Sequence, residues 1–351
     1  RTLVAPTALP SALDRLGFVQ IDPITAPACA QDLILRHRVS DYAKGDMDKA
    51  YPDLPMEEVF FINHGYLPRD FAANLLPAQP MSDSLKEHKT LVKKIQAFFK
   101  KNGATHPKLL NQHLGSKSMQ NYWGGTGQEG THLAQRMHSN GLLRISHREK
   151  GIRIYDLPMH AASHATQQAI VAQAIDKLAQ TYAPFTLKSL TYMARLLGQS
   201  RPDLKPHIKH ALTHIDDALN HTSIDGQTWY WPRGEDLNAF DFEPHAEQVR
   251  LLAPFDPLVW DRDRFALLWN WRYKFEAYKP AAARKLGYYA LPILWRDDMI
   301  GWANVAIQND VVQVELGYVG AKPREKIYRL ALENDLSHLT SFLGFESWQF
   351  M

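Results

Sequence analysis

The chain has 351 residues, enough for two or three domains, and its 45% hydrophobic and 22% charged residues are those of an ordinary globular protein. A formal net charge of +3 is a weak indication of an anionic partner, and the single cysteine excludes an intramolecular disulfide. No apolar run approaches the roughly 18 residues of a membrane span, so we expect no membrane partner and a cytoplasmic location.

Residues 1–80 form the first predicted unit, and residues 16–24 are its most distinctive segment. Apolar and polar side chains alternate there, which predicts a short strand that carries Gln20 and Asp22 on one face and ends at Pro23. A carboxamide beside a carboxylate can hold a water molecule and oppose a developing positive charge. The structural alternative is a pair of solvent-facing residues on an edge strand, and spacing alone favours this alternative.

Two arginines of the same unit follow a short apolar run. Arg36 and Arg38 are candidate contacts to the phosphates of DNA, since guanidinium groups suit that role. Solvated charges at the end of a helix are an equally good interpretation of the same two residues.

Residues 81–157 form a second predicted unit with a strongly basic first helix. The pattern predicts helices over residues 85–101, 106–114 and 128–140, followed by a hairpin over residues 142–155. Three helices followed by a two-stranded hairpin constitute a winged helix, which is a variant of a DNA-binding motif. Arg136 on the third helix, and Arg148 and Lys150 on the hairpin, are therefore candidate DNA contacts.

Residues 158–237 repeat this order of elements and form a third predicted unit. Asp225 and Gly226 are typical of a two-residue turn between strands. Three histidines share one helix face, namely His207, His210 and His214. They could bind a metal, but a hydrated basic face is the better interpretation, so we predict no metal and no cofactor.

Residues 238–351 form the last predicted unit, in which strand-like runs replace the helices. The runs lie at residues 249–255, 273–278, 288–295, 299–307 and 311–316, and a final helix follows them. The fold class predicted from the whole chain is therefore α+β, with tandem winged-helix domains followed by a small C-terminal β-barrel. Trp295 and Arg296, at the tip of one hairpin, form a candidate probe of the DNA minor groove, and an ordinary solvent-facing turn is an equally good interpretation.

The segment Leu-Gly-x-Val-Gln-Ile-Asp-x-Ile over residues 16–24 resembles the catalytic motif of the winged-helix DNA glycosylases, the bacterial family typified by AlkZ and YcaQ (AlkX). Residues 251–262 and 278–291 are similar to the C-terminal part of that family. The resemblance implies that Gln20 and Asp22 are catalytic, in the Gln-x-Asp form of the motif.

Two further positions are interpreted through the same resemblance. Residues 63–68 are similar to a family segment that contains a histidine before Leu-Pro, which makes His64 a candidate site residue and DNA contact. The run Cys29-Ala-Gln-Asp32 departs from the Arg-Ala-His-His-like run of the members that unhook crosslinks. The substrate range within the family therefore stays open.

The resemblance implies a monofunctional DNA glycosylase that hydrolyses the N-glycosidic bond of N7-alkylated guanine in double-stranded DNA, with crosslink unhooking as an extension. Asp22 would stabilise the oxocarbenium-like sugar and deprotonate a water held by Gln20. We expect a monomer that acts on nucleoid DNA. The alternative is a non-catalytic winged-helix DNA-binding regulator. A metal-dependent nuclease would need clustered carboxylates, which are absent at recognisable spacing.

Overall fold

A computed structural model describes residues 3–76, 83–120, 126–159, 165–236 and 247–351. The chain divides into two compact units. Unit 1 comprises Arg1–Met47, Ala174–Arg195 and His210–Met351, and unit 2 comprises Asp48–Gln173 and Leu196–Lys209. The four predicted domains are a finer division that stays a prediction, and their boundaries at residues 80 and 237 lie outside the described residues.

Helices occur in both units. Over the described ranges they are α1 (Leu9–Leu16), α2 (Ala30–Leu35), α3 (Asp46–Ala50), α4 (Arg69–Leu75), α5 (Asp83–Lys86), α6 (Lys89–Asn102), α7 (Pro107–Leu114), α8 (Glu129–Ser139), α9 (Gln167–Tyr182), α10 (Leu187–Ser200), α11 (Lys205–Thr213), α12 (Ile215–Ala218), α13 (Pro257–Trp260), α14 (Arg262–Trp269) and α15 (Lys326–Leu343). In this part of the chain, none of them combines the length and the apolar character that crossing a bilayer requires.

The strands are short apart from two in the C-terminal sheet. They are β1 (Val19–Gln20), β2 (Met56–Phe60), β3 (His64–Pro68), β4 (Ser118–Gln120), β5 (Thr126–Gln128), β6 (Arg144–Glu149), β7 (Ile152–Asp156), β8 (Leu219–Ile224), β9 (Gln227–Pro232), β10 (Val249–Leu251), β11 (Leu291–Trp295), β12 (Asp298–Gln308), β13 (Val311–Tyr318) and β14 (Trp348–Phe350). The pairs β2–β3, β6–β7 and β8–β9 are antiparallel hairpins.

The turns of two hairpins confirm the local sequence signals. Lys150 and Gly151 have φ angles of 50° and 81°, and Asp225 and Gly226 have φ angles of 51° and 77°. Positive φ at both central residues is the geometry of a type I′ turn, which matches the twist of the flanking strands. Glycine and aspartate accept this geometry more readily than most residues.

Unit 2 contains the predicted order of three helices and a hairpin. The helices α6, α7 and α8 are followed by the hairpin β6–β7. Ile95, Phe99, Leu110, Met137 and Ile145 are all buried, so each of these elements contributes at least one side chain to the core. Burial of these side chains is the main favourable contribution to the packing of the elements.

The C-terminal part of unit 1 is one five-stranded sheet, in the order β10-β11-β12-β13-β14. Neighbouring strands are antiparallel except β13 and β14, which are parallel. The register shifts at Ile293 and Leu294, where an irregularity of this kind bends a strand. Within the described residues the sheet has two edges, β10 and β14. The predicted small barrel is therefore confirmed in outline, as a curled half-barrel sheet that stays open.

Two strand assignments in this sheet differ from the sequence prediction. Residues 273–278 form no strand, although buried and exposed side chains alternate from Trp271 to Lys274. The fifth strand is instead β14, which follows α15 and pairs with β13. Alternation of apolar and polar side chains indicates that a segment is extended. It does not indicate whether an adjacent strand is present to form backbone hydrogen bonds with that segment.

Candidate active site

Asp22 lies just beyond β1 and is held by the backbone that follows it. Its Oδ1 atom accepts a hydrogen bond of 2.9 Å from the N–H group of Ile24. Pro23 has no N–H group, so Ile24 provides the first donor after the carboxylate. The strand ends at Gln20, two residues earlier than predicted, so Asp22 is held by this hydrogen bond just beyond the strand and not within it.

Both predicted catalytic side chains are buried. Gln20 is 3% exposed and Asp22 is 8% exposed, and the apolar residues between Phe18 and Ile21 are buried as well. The alternative of two solvent-facing residues on an edge strand is therefore wrong. The carboxylate of Asp22 is largely covered by the rest of the protein.

Burial changes the acidity of Asp22. Removal of water from around the carboxylate raises its pKa, and the hydrogen bond from Ile24 opposes that rise. A half-desolvated acid with a raised pKa is more common at functional sites than on ordinary protein surfaces.

Several buried polar atoms of unit 1 have no hydrogen-bond partner among the described residues, and two of them concern the candidate site. These two are the Oε1 atom of Gln20 and the hydroxyl group of Tyr289. Burial, and then the charge of Asp22, raise the pKa of Tyr289 well above its ordinary value. Nearly all buried polar atoms in folded proteins are satisfied, so these two atoms are candidates to bind water or substrate.

Unit 1 also contains a cluster of aromatic side chains. Phe275 packs edge-on against Tyr278 and Tyr289, with ring centroids 5.9 and 5.3 Å apart, and the ring centroid of Phe255 lies 5.1 Å from that of Phe275. Burial, and then the charge of Asp22, raise the pKa of Tyr278. Ring faces of this kind suit a flat, cationic ligand.

Tyr278 and Tyr289 are site candidates that sequence reasoning did not identify. The available signal was the run Gly287-Tyr288-Tyr289, in the segment that resembles the C-terminal part of the glycosylase family. Gly287 has a φ angle of 119°, and a Cβ atom there would lie 2.1 Å from the Oδ1 atom of Asn304. The backbone at this point therefore requires glycine.

A cavity of about 660 Å³ in unit 1 does not coincide with the acid. It is lined mainly by apolar side chains, including Trp229, Trp231, Leu258 and Leu267, and neither Gln20 nor Asp22 contributes to it. The position of the candidate site therefore rests on the chemistry of its side chains and not on cavity size.

The structure corrects the interpretation of Arg36 and Arg38 as phosphate contacts. Arg36 donates to Asp335 at 3.1 Å and to the carbonyl oxygen of Leu251 at 3.1 Å, and Arg38 forms an ion pair of 2.8 Å with Asp256. Both arginine side chains are almost fully buried. Since each guanidinium already has a carboxylate partner inside the protein, neither is available for DNA in this structure.

In unit 2, His64 and Arg148 meet on one fully buried acid. Glu58 contacts His64 at 3.2 Å, Arg148 at 2.7 Å and Arg153 at 2.9 Å. Burial alone would raise the pKa of Glu58, but His64, Arg153 and Arg148 outweigh burial and lower it to about 2. This acid therefore positions His64 of β3 and two arginines of the hairpin β6–β7.

Two other predicted DNA contacts are exposed. Arg136 lies on the outer side of α8, and Lys150 lies at the turn of the hairpin β6–β7. Solvent-exposed cations on a helix and on a hairpin turn are free to approach phosphates. Their role in DNA binding stays a prediction.

The structure also corrects the proposed probe at the hairpin between β11 and β12. The predicted turn is present, with Arg296 at a φ angle of 53°. Trp295, however, is 5% exposed and packs edge-on against Tyr328, with ring centroids 5.4 Å apart. Arg296 forms an ion pair of 2.9 Å with Glu325. A buried tryptophan cannot enter a groove, so the ordinary turn is the better interpretation.

The three histidines of the third predicted domain have other contacts. His210 and His214 stack with ring centroids 4.4 Å apart, and His207 contacts Gln167 at 3.0 Å. Over the ranges that the structure describes, no group of three or more histidine, cysteine, aspartate or glutamate side chains could hold a metal ion.

The mixed α+β fold and the buried acid agree with one class of protein, the DNA glycosylases. The family model described as "DNA glycosylase AlkZ-like" matches residues 13–342, so the chain belongs to the AlkZ-like DNA glycosylase family. This membership implies an enzyme of DNA repair that cleaves N-glycosidic bonds. The resemblance inferred from residues 16–24 is confirmed at the level of the family, and the Gln-x-Asp form of the motif stays a prediction.

The structure is similar to that of the DNA glycosylase AlkZ of Streptomyces sahachiroi. The TM-score is 0.64, the match covers 100% of this chain and 96% of that chain, and 13% of the residues are identical. At this low identity the likeness shows that the fold is shared.

Proposed function

We propose that the protein releases N7-alkylated guanine from double-stranded DNA, with Asp22 and Gln20 as its catalytic residues. The observation that carries this proposal is the buried Asp22 carboxylate in the same unit as the unpartnered Oε1 atom of Gln20. In a family of DNA glycosylases, such a pair has a ready chemical role.

The chemistry of the substrate explains why one acid is sufficient. Alkylation at N7 makes guanine a cation and therefore a good leaving group, so little acid catalysis is needed. The difficult part is the positive charge that develops on the sugar and the attack of water on that sugar. Ionised Asp22 stabilises the charge and accepts a proton from the water, and Gln20 orients the same water.

The raised pKa of Asp22 is compatible with this role. Its carboxylate loses water through burial, which favours the protonated form in the free protein. A cationic purine nearby has the opposite effect, because it stabilises the ionised carboxylate. The substrate itself therefore favours the protonation state that the reaction requires.

The DNA is held by tandem winged-helix modules in this proposal. The order of three helices and a hairpin in unit 2, with Arg136 and Lys150 exposed, supports one such module. Arg148 contributes through the hairpin that Glu58 holds. The protein would act as a monomer on nucleoid DNA in the cytoplasm, and unhooking of interstrand crosslinks is an extension of the same chemistry.

The proposal is tested by incubating the protein with duplex DNA that carries N7-methylguanine, in the presence of a chelator. We expect free N7-methylguanine and an intact strand with an abasic site. A non-catalytic DNA-binding regulator would release no base, and a metal-dependent nuclease would need a divalent ion. A duplex with a single guanine crosslink, analysed for separated strands, tests the extension.

A further inference from the structure

A loop in unit 1 carries an unusual combination of positive charge and exposed aromatic rings. Residues 272–289, here called the aromatic loop, connect the end of α14 to β11. The loop contains one acid, Glu276, and five basic residues, which are Arg272, Lys274, Lys279, Arg284 and Lys285. This local excess of positive charge contrasts with the net charge of +3 of the whole chain.

The single acid of the loop is buried, and its hydrogen bonds hold two parts of the loop together. Glu276 is 3% exposed and accepts hydrogen bonds from the ammonium group of Lys279 at 2.7 Å and from the N–H groups of Lys285 and Leu286 at 2.6 and 2.9 Å. Burial alone would raise the pKa of Glu276, but these donors outweigh burial and lower it to about 2. The loop is therefore closed by an ionised acid at neutral pH.

The outer side of the loop is cationic as a result. Arg272, Lys274 and Lys285 are exposed, and the described residues include no acid paired with any of them. Exposed guanidinium and ammonium groups without an acidic partner are available for the phosphates of a nucleic acid.

The loop also presents one tyrosine almost fully to solvent. Tyr278 is 80% exposed, and its ring packs edge-on against the ring of Phe275. Tyr288 is 44% exposed, but Arg284 covers one face of its ring at 4.9 Å. Tyr278 thus has an open face that a flat ligand can stack on.

The loop and the candidate active site belong to the same unit. Tyr278 and Tyr289 both pack on Phe275, and the buried hydroxyl group of Tyr289 has no hydrogen-bond partner among the described residues. The charge of Asp22 also contributes to the raised pKa of both tyrosines. A base that stacked on Tyr278 would therefore lie within the field of the same carboxylate.

We propose that Tyr278 and the three exposed cations of the aromatic loop form the lesion-binding subsite of this enzyme. Tyr278 stacks on the cationic purine, and Arg272, Lys274 and Lys285 bind the phosphates that flank it. A cationic ring gains more from an electron-rich tyrosine face than a neutral base does, so the subsite prefers alkylated purines. This inference rests on the proposed function, because it assigns the substrate of the same site.

The first test measures lesion preference in binding. Equilibrium affinities are compared between an undamaged duplex and a duplex with a non-hydrolysable N7-methylguanine analogue. We expect Tyr278→Ala to lose about tenfold in affinity for the lesion duplex, since one base–aromatic stack has that order of effect. Tyr278→Phe should retain the preference. Tyr288→Ala is the matched control and should resemble the wild type.

The second test measures the charged side of the loop. Replacing Arg272, Lys274 and Lys285 together by glutamine should lower the slope of log K against log salt by about two to three, since each phosphate contact contributes about 0.9. Lys322→Gln with Arg324→Gln and Lys326→Gln, all exposed cations near the start of α15, is the control and should leave the slope largely unchanged.

The outcomes separate this inference from the proposed function. A wild type that prefers the lesion duplex but releases no base overturns the proposed reaction alone. A wild type that releases base, while Tyr278→Ala keeps its full preference or Tyr288→Ala loses as much, overturns the subsite alone. Absence of both preference and base release overturns both. Because Tyr278 is exposed, an unchanged melting temperature of its variants will exclude misfolding as the cause.

Discussion

At the residue scale, Asp22 combines two opposing requirements. In the proposed reaction the carboxylate must be ionised to stabilise positive charge, yet its burial favours the protonated form and raises its pKa. The hydrogen bond from Ile24 compensates for part of the lost hydration. Burial of this carboxylate lowers the stability of the free protein. In the proposed reaction, the cationic substrate compensates for that loss when it binds beside the carboxylate.

The first prediction concerns catalysis by this residue. Asp22→Asn keeps the shape and the acceptor for Ile24 but removes the charge and the proton acceptor. We expect the single-turnover rate of N7-methylguanine release to fall by about 10²- to 10⁴-fold, with DNA affinity retained. Asp14→Asn, at an exposed acid of α1, should leave the rate unchanged. A near-normal rate for Asp22→Asn would disprove the mechanism.

The second prediction concerns stability. Since the pKa of Asp22 is higher in the folded protein than in the unfolded chain, the folded state binds its proton more tightly, and stability decreases as pH rises between the two values. We expect Asp22→Asn to melt at a higher temperature than the wild type at pH 7. The difference should shrink below the ordinary pKa of an aspartate. Equal melting temperatures at pH 7 would contradict the burial argument.

At the element scale, one buried acid joins two hairpins of unit 2. Glu58 of β2 holds Arg148 and Arg153, which lie on the two strands of the hairpin β6–β7. The ring of His138 on α8 contacts the backbone carbonyl of Glu58 at 2.8 Å. This carboxylate therefore helps to fix the orientation of the hairpin that carries Lys150.

The third prediction tests this arrangement. Glu58→Gln leaves two guanidinium groups without their anion, and breaking a buried ion pair costs about 3 kcal/mol. We expect a loss of that size in the free energy of unfolding at pH 7, measured with denaturant. Glu57→Gln is the matched control, because Glu57 also pairs with two arginines, Arg69 and Arg144, but is partly exposed, and its loss should be smaller.

The pH dependence of the same acid has a defined sign. The pKa of Glu58 is lowered to about 2 in the folded state. Its contribution is therefore complete above the ordinary pKa of a glutamate and disappears as the pH falls through about 2. The difference in stability between wild type and Glu58→Gln should decrease over this acidic range, and a constant difference would contradict the assignment.

At the scale of the whole molecule, a net charge of +3 is too small to attract DNA without local concentration of cations. The fourth prediction therefore concerns individual cations. Arg136→Gln combined with Lys150→Gln should lower the salt dependence of DNA binding by about two in the slope of log K. Arg36→Gln should instead reduce stability and leave the slope unchanged, because Arg36 is paired with Asp335. The opposite pattern would restore Arg36 as a phosphate contact.

The sequence predictions are accurate where a structure depends on neighbouring residues and less accurate where it depends on residues far apart in the chain. The turn at Asp225 and Gly226 and the hairpin that follows α8 were both predicted, because each depends on neighbouring residues. The sheet was predicted in outline, but residues 273–278 were assigned as a strand although no ladder forms there. The backbone of the aromatic loop is closed by Glu276 instead, which alternation cannot indicate.

The sequence by itself determined the family and the order of Gln20 and Asp22 before Pro23, although the strand predicted over this segment ends earlier, at Gln20. These are properties of contiguous residues, for which the order of side chains and the stereochemistry of proline are sufficient. The tertiary structure alone decided that Arg36 meets Asp335 and that Phe275 packs between Tyr278 and Tyr289. Charge pairing and stacking depend on distance in space, and residues more than 250 positions apart acquire that proximity only when the chain folds.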